Sequence, residues 1–312
     1  MEPTRDEEAA ITDETTQSPP APVIENEPVE IADGVYVIPD GGVPLVPNVG
    51  IVSGSRGTLV VDTGMGPRNG QAVRRHAEQL AGDRTLFLTL THFHPEHGYG
   101  AQAFDGVAVS VYNRAQRDEL RQKGSAYLEL FKTFGPAVAE QLEGVELVEP
   151  DLVYEEAAEL DLGGRTAQLR TWGLAHTTAD QVVFLPDQRI LFTGDLVETE
   201  CFAIFPWFPP DDVDVDGDRW IAVLEHLERL EPEIVVPGHG PLGDAGVIAT
   251  ARDYLELLRS ETRRLADGGA SEDEAAAEID LSMRALHPDW AQPEWIDFGV
   301  RCFYAAHAGD RS

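Results

Sequence analysis

The chain has 312 residues, a formal net charge of −33 at pH 7 and a sequence pI near 4.4. Because so acidic a protein repels a phosphate backbone, we expect no nucleic-acid partner, and nucleases are excluded. The sequence has no apolar run of about 18 residues, so we expect no membrane-spanning helix. Residues 1–28 are rich in Glu, Asp, Thr and Pro and predict a disordered acidic tail with no signal peptide.

Predicted strands open the ordered part of the chain. Residues 34–38, 49–52 and 58–61 are apolar runs separated by glycine and proline, which is typical of an antiparallel sheet. Residues 71–80 carry apolar side chains at helical spacing, and residues 85–90 form an apolar run that predicts a buried strand.

A dense polar motif follows strand 85–90. His92, His94, Glu96 and His97 lie within six residues, and imidazole nitrogens and carboxylate oxygens are the ligands that zinc or iron prefers. In an extended segment alternate side chains share a face, so His92, His94 and Glu96 are expected on one face and His97 on another. The motif therefore predicts ligands for two adjacent metal positions. A surface loop with clustered histidines is the alternative.

The next stretch is predicted to be a strand followed by helix. Residues 107–111 favour a strand, and residues 113–142 are mainly helical, with interruptions at Gly124 and at Gly135-Pro136. Tyr127, Phe131 and Phe134 form an aromatic stripe along this region. Such a stripe indicates core packing, with a lining of the substrate entrance as the alternative.

Three more candidate ligands follow apolar runs later in the chain. They are His176, Asp195 and His239. From residue 147 to 183 the pattern returns to strands, including 167–171 and 181–184, and together with 190–193 these predict the second sheet. Residues 233–236 predict the strand that leads to His239. Any one of the three is more often an ordinary polar residue, but together with the histidine motif they indicate a metal centre.

The C-terminal part is predicted to be mostly helical. The aromatic loop 202–210 either walls an apolar pocket or folds into the core. Helices are predicted at 220–230, 254–265 and 294–306, and the capping box Ser271 to Glu274 begins another. These helices either cover the site or support a homodimer. Four further histidines are expected to be surface or packing residues: His76, His226, His287 and His307.

These motifs resemble those of the metallo-β-lactamase-fold hydrolase superfamily, whose signature is His-x-His-x-Asp-His, then a lone His, a Gly-Asp and a Gly-His. The resemblance implies an α/β fold, a four-layer αββα sandwich with a C-terminal helical extension. It implies a first metal held by His92, His94 and His176, a second held by Glu96, His97 and His239, and Asp195 bridging the two. Asp62 matches the family's early aspartate, which supports the metal loop from outside. We therefore predict a tail at 1–28, a catalytic domain at 29–250 and a helical extension at 251–312 packed on it.

Glu96 departs from the family pattern, which has aspartate there. Its carboxylate extends one methylene further, so it either ligates through a shifted loop or leaves a lone metal at the three-histidine position and acts as a base. We expect one or two Zn²⁺ ions per chain, with iron or manganese as alternatives.

The expected function is hydrolysis of a small ester, thioester, lactone or lactam by a metal-activated water. Asp195 and Glu96 are the candidate catalytic residues, with Asp195 orienting the water and passing a proton to the leaving group. The alternatives are an iron-dependent oxidoreductase or dioxygenase on the same fold and a metal-stabilised binding protein. Cys201 and Cys302 are too few for a disulfide framework and are predicted to be buried free thiols. We expect a cytoplasmic protein with a small-molecule substrate and no membrane partner.

Overall fold

A computed structural model describes residues 20–310 of the chain. Its first sheet has seven strands in the order of the sequence, antiparallel from β1 to β4 and parallel from β4 to β7. The strands are β1 (Val29–Ala32), β2 (Val35–Ile38), β3 (Val49–Ser53), β4 (Gly57–Val61), β5 (Thr85–Thr89), β6 (Ala108–Asn113) and β7 (Leu152–Tyr154). The predicted antiparallel opening is confirmed.

The second sheet has five strands in the order β12-β11-β10-β9-β8. They are β8 (Ala157–Asp161), β9 (Thr166–Thr171), β10 (Gln181–Leu185), β11 (Ile190–Gly194) and β12 (Ile234–Pro237). Only the pair of β11 and β12 is parallel among the described strands of this sheet. β7 differs from the sequence interpretation, which assigned the strands after Leu147 to the second sheet, because it pairs with β6 in the first.

Both sheets are apolar on both faces, and this determines the layers. In β10, Val183 and Leu185 lie in a cluster shared with strands of the first sheet, whereas Val182 and Phe184 pack with the helices on the other side. Successive strand residues point to opposite faces, so each sheet buries one face against the other sheet and one against helices. The predicted four-layer αββα sandwich is confirmed.

The helices form the two outer layers. α1 (Gly66–Ala81), α2 (Pro95–Gly98), α3 (Arg114–Lys132) and α4 (Pro136–Gln141) pack on the first sheet, with a 3-10 turn at Ala101–Phe104. α5 (Gly217–Glu228), α6 (Gly246–Asp267), α7 (Glu272–Leu286) and α8 (Trp295–Asp310) cover the second. Ser271 and Glu274 form the predicted capping box of α7. Within residues 20–310, none of the helices combines the length and apolarity needed to cross a bilayer.

The segment 20–28 differs from the tail predicted at 1–28, of which residues 1–19 lie outside the described part. Ile24 is buried, and its backbone N–H donates to Asn69 Oδ1 at 2.9 Å. The Asn69 amide nitrogen in turn donates to the carbonyl of Pro22 at 2.8 Å. The buried side chain of Ile24 and the two hydrogen bonds of the Asn69 amide therefore attach this polar segment to α1.

Gly124 does not interrupt α3 as the sequence predicted. The helix is continuous from Arg114 to Lys132, and Gly124 lies at a position in it where close packing leaves little room for a side chain. A Cβ at Gly124 would lie 2.8 Å from Leu147 Cδ1, and the Gly124 carbonyl accepts a hydrogen bond from Tyr99 Oη at 2.7 Å.

Candidate metal centre

Strand ends and short loops place the candidate ligands at one edge of the sandwich. Asp62 follows β4 directly, His92 lies three residues beyond β5, and Asp195 follows Gly194 at the end of β11. His239 lies two residues beyond β12, and His176 lies in the loop between β9 and β10. Because β4 pairs with β5 and β11 with β12, all in parallel, their carboxyl ends meet at this edge.

The motif loop is not extended throughout, as the sequence interpretation assumed. Pro95 is the first residue of α2, and its fixed φ starts a helical turn that carries Glu96 and His97. Glu96 consequently groups with His97 and not with His92 and His94. The prediction that His92, His94 and Glu96 share a face is wrong for Glu96, while the prediction of two adjacent sets of ligands agrees with this grouping.

The first group contains His92, His94, His176 and Asp195. The centroids of the three imidazole rings lie 4.6, 4.8 and 4.9 Å apart, and the rings are nearly perpendicular to one another. Three imidazoles at almost equal separations converge on one point, as in a tridentate site for a divalent ion.

The second group contains Glu96, His97, His239 and again Asp195, and in both groups the potential ligand atoms lie within 4.8 Å of one another. Asp195 Oδ2 faces the first group, 3.8 Å from His92 Nε2. Asp195 Oδ1 faces the second, 3.1 Å from His97 Nε2 and 3.7 Å from His239 Nε2. The two oxygens of one carboxylate therefore serve the two groups separately.

Hydrogen bonds outside the centre fix the orientation of four rings. His97 Nδ1 donates to Asp62 at 2.9 Å, His176 Nδ1 to Asp180 at 3.2 Å, and His239 Nδ1 to the Val46 carbonyl at 2.9 Å. Thr91 Oγ1 donates to Asp62 at 2.8 Å and so can accept from His92 Nδ1 at 3.1 Å. With Nδ1 as donor in each ring, the Nε2 lone pair is directed into the centre.

Asp62 accepts hydrogen bonds from both Thr91 and His97 and so supports the candidate ligands from outside the centre. Its carboxylate also accepts the Thr91 backbone N–H at 2.7 Å, so three donors converge on one side chain. Asp62 has a left-handed φ of 67°, which aspartate tolerates better than most residues. The expected position of Asp62 behind the motif loop agrees with these contacts.

Unpaired buried atoms show that the pocket fits a cation. The candidate ligands are all buried, yet these inward-facing atoms have no hydrogen-bond partner: Nε2 of His92, His94, His97, His176 and His239, Oε2 of Glu96 and both carboxylate oxygens of Asp195. Buried polar groups are almost always satisfied, so this concentration of lone pairs fits a bound cation. Nitrogen and oxygen donors in these numbers suit one or two divalent transition ions.

The electrostatics of the centre agree with that fit. Burial, together with the neighbouring imidazoles, lowers the pKa of His92 and His94 well below the usual value, so each ring is neutral and keeps one nitrogen lone pair free to bind a cation. Burial opposes charge on His97, but the carboxylates of Asp195 and Asp62 outweigh it and raise its pKa. These carboxylates thus give the second group a negative potential, which favours a bound cation. Burial raises the pKa of Glu96 to about 7.

Several supporting residues were missed from the sequence. Asp180, Thr91 and the Val46 carbonyl orient ligands, and the Asn48 amide donates to the carbonyls of Pro237 and Gly240 on either side of His239. Asp180 lies four residues after His176, a spacing that offered a signal. Nothing in the sequence indicated Val46 or Asn48, because their roles depend on contacts across more than 180 residues.

The four histidines expected outside the centre do lie elsewhere. His226 stacks on Trp172 and His287 on Trp290, His307 lies 2.9 Å from Asp267, and His76 lies 3.6 Å from Glu27. Cys201 and Cys302 are buried free thiols, as predicted.

Comparisons with known proteins agree with the motifs and the fold. A family model described as the metallo-beta-lactamase superfamily matches residues 42–239. An acyl-coenzyme A thioesterase of Homo sapiens, MBLAC2, is 27% identical over 225 residues, which covers 67% of this chain and 78% of that protein. A metallo-beta-lactamase type 2 of Bacillus cereus is 24% identical over 214 residues, covering 68% of this chain and 74% of that protein. The solved sec-alkylsulfatase Pisa1 from Pseudomonas sp. superposes with a TM-score of 0.69 at 17% identity, covering 91% of this chain and 50% of that one.

Proposed function

Because the chain belongs to the metallo-beta-lactamase superfamily, we propose that it is a metal-dependent hydrolase. The observation that carries the proposal is the division of the Asp195 carboxylate between two groups of buried, unpaired ligand atoms. We assign the first metal to His92, His94 and His176 and the second to Glu96, His97 and His239, with Asp195 as the bridge. Asp62 acts on His97 from outside.

Such ions supply two things when bound: they lower the pKa of a water molecule to about 7, and they polarise the carbonyl of a substrate. The chain's own side chains do the rest. Asp195 accepts a hydrogen bond from the attacking water and orients it, and it then carries the proton toward the leaving group. Glu96 would hold the second metal position, or would act as a base where only the three-histidine position is occupied.

The favoured substrates are thioesters and esters. Water adds its oxygen to the acyl carbon, the bond from carbon to sulfur or oxygen breaks, and the leaving thiol or alcohol takes the proton. The human relative, named an acyl-coenzyme A thioesterase, supports this choice over a lactone or lactam. Zinc is the favoured metal because imidazole and carboxylate ligands suit it, with iron and manganese as the alternatives. The two free cysteines support a reducing, cytoplasmic location.

A substrate panel tests the proposal. Purified protein loaded with Zn²⁺, Fe²⁺ or Mn²⁺ is assayed on chromogenic thioesters, esters, lactones and lactams, before and after chelation and after metal is restored. We expect thioester hydrolysis that chelation abolishes and metal restores. His176→Ala should lower kcat at least about 100-fold, since it removes a metal ligand. His226→Ala, which removes an exposed histidine stacked on Trp172, is the matched control and should retain activity. Hydrolysis that survives complete metal removal would contradict the proposal.

A further inference from the structure

An apolar cavity of about 640 Å³ lies between the α3–α4 junction, the loop before β3, the loop after β11 and α8. We call it the aromatic cavity, after the four aromatic side chains that line it together with Leu45 and Val138: Phe134, Phe208, Trp295 and Phe298. Phe208, Trp295 and Phe298 form a three-ring cluster with centroid distances between 5.2 and 6.4 Å. The volume is within the range of small-molecule sites, about 300–1,000 Å³.

The chemistry of the wall selects an uncharged, apolar occupant. Within residues 20–310, Glu294 is the one charged side chain that lines the cavity, and its negative charge disfavours an anion. The Trp295 indole N–H already donates to Gln292 Oε1 at 3.0 Å, so it does not need a polar ligand. Phe134 is 46% exposed. Contact between an apolar ring and water costs free energy, and burial against an apolar ligand would remove that cost.

Short chains of neighbouring residues link the wall of the aromatic cavity to the candidate metal ligands. Leu45 precedes Val46, whose carbonyl holds His239. On the α3 side, Tyr127 stacks on His94 with centroids 5.1 Å apart, and Phe131 continues from Tyr127 to Phe134 on the cavity wall.

A third connection runs through Asp212. Tyr127 Oη donates to Asp212 Oδ2 at 2.7 Å, and the Phe208 backbone N–H donates to the Asp212 carbonyl at 2.8 Å. The cavity wall is thus built on residues that contact ligands of both groups.

We infer that the aromatic cavity binds the linear acyl chain of the substrate while the scissile carbonyl lies at the metal centre. The inference rests on the proposed hydrolysis and adds a substrate class: medium- to long-chain acyl thioesters or esters. An alkyl chain fits because it is uncharged, gains free energy in proportion to the apolar area it buries and needs no hydrogen-bond partner.

A chain-length series measures this preference. Acyl thioesters of N-acetylcysteamine have an uncharged leaving group, so only the acyl part varies from acetyl to dodecanoyl. Each added methylene that enters an apolar site should raise kcat/KM by up to about fourfold, until the cavity is filled. A wild-type kcat/KM that does not change with chain length would overturn the inference.

Two alanines of α4 give a matched pair of variants. Ala137 lines the aromatic cavity and Ala139, on the same helix, does not. Ala137→Trp should fill part of the cavity and flatten the chain-length series, whereas Ala139→Trp should keep the wild-type series. Equal behaviour of the two variants would overturn the inference.

Binding without turnover separates this inference from the proposed function. The S-dodecyl thioether of N-acetylcysteamine cannot be hydrolysed, and calorimetry should show binding that Ala137→Trp weakens at least about tenfold. If no thioester is hydrolysed but the thioether binds in this way, the proposed function fails and the cavity assignment survives. If hydrolysis occurs and the thioether does not bind, the cavity assignment fails. A wild-type dimer that Ala137→Trp dissociates, without thioether binding, would assign the cavity to a second copy of the chain.

Discussion

Asp195 depends on the glycine opposite its carboxylate. A Cβ at Gly238 would lie 1.9 Å from Asp195 Oδ1, so the space for this oxygen exists only because residue 238 has no side chain. We expect Gly238→Ala to displace the carboxylate and to lower both bound metal and kcat at least about tenfold. Metal analysis and the thioester assay on the same sample test this. Gly309→Ala is the control, since a Cβ there meets nothing within 4 Å. Full metal content in Gly238→Ala would contradict the proposed bridge.

Glu96 can be tested against a second buried carboxylate nearby. Glu96→Gln removes a charged ligand from the second group, and we expect bound zinc to fall from two ions to one per chain while the three-histidine group keeps its ion. Glu198 is the matched control because it is buried nearby but belongs to neither group. Glu198→Gln should keep both ions. Two ions in Glu96→Gln would show that Glu96 is not a ligand.

The sequence indicated the candidate ligands, and the family resemblance indicated the two groups in which the structure places them; only the expected shared face of Glu96 with His92 and His94 was wrong. His92, His94, His176, Asp195 and His239 are recognisable because each lies at or near the end of an apolar run, where a sheet edge brings such residues together. The partners of their Nδ1 atoms are harder to find. A backbone carbonyl such as that of Val46 can be supplied by any residue type, so no side-chain pattern marks it.

At the scale of elements, Lys123 joins α3 to the loop after β11. Its ammonium lies 2.9 Å from carboxylate oxygens of Glu119, Asp212 and Asp214, and Glu119 and Asp212 are both buried. Lys123→Met leaves those two carboxylates without a cation, and we expect the free energy of unfolding to fall by about 3 kcal/mol. Urea unfolding followed by circular dichroism measures the change.

The chain's other lysine is the control for this prediction. Lys132 is paired with Glu129 at 2.7 Å, but the two side chains are 35% and 71% exposed. An exposed pair of this kind contributes at most about 1 kcal/mol, so Lys132→Met should unfold close to wild type. Equal urea midpoints for the two variants would show that the Lys123 cluster does not stabilise the fold.

Short-range sequence patterns predicted most of the helices and strands but not every one of their boundaries. The capping box of α7 and the apolar runs of β3, β4, β10 and β11 depend on neighbouring residues, so the sequence is sufficient to find them. The local signals of Gly124 and Pro95 are wrong for opposite reasons. Tertiary packing against Leu147 overrides the helix-breaking tendency of Gly124, whereas Pro95 begins a helix where an extended loop was assumed.

At the scale of the whole molecule, the net charge of −33 should make stability depend on salt. Like charges at this density repel one another most in the compact state, and added ions screen that repulsion. We expect Tm to rise by about 2 °C or more between about 0.05 M and 0.5 M NaCl. KCl at the same concentrations should raise Tm by a similar amount, because screening depends on ionic strength. A fall in Tm, or an effect of one salt alone, would contradict this explanation.

The sandwich as a whole brings two groups of candidate metal ligands from both sheets to one edge, and anomalous X-ray diffraction at the zinc edge tests the assigned centre most directly. We predict two peaks about 2.0–2.3 Å from their ligand atoms, one beside His92, His94 and His176 and one beside Glu96, His97 and His239. Both should also contact Asp195. Zinc-saturated crystals with no peak among these residues would contradict the assigned centre.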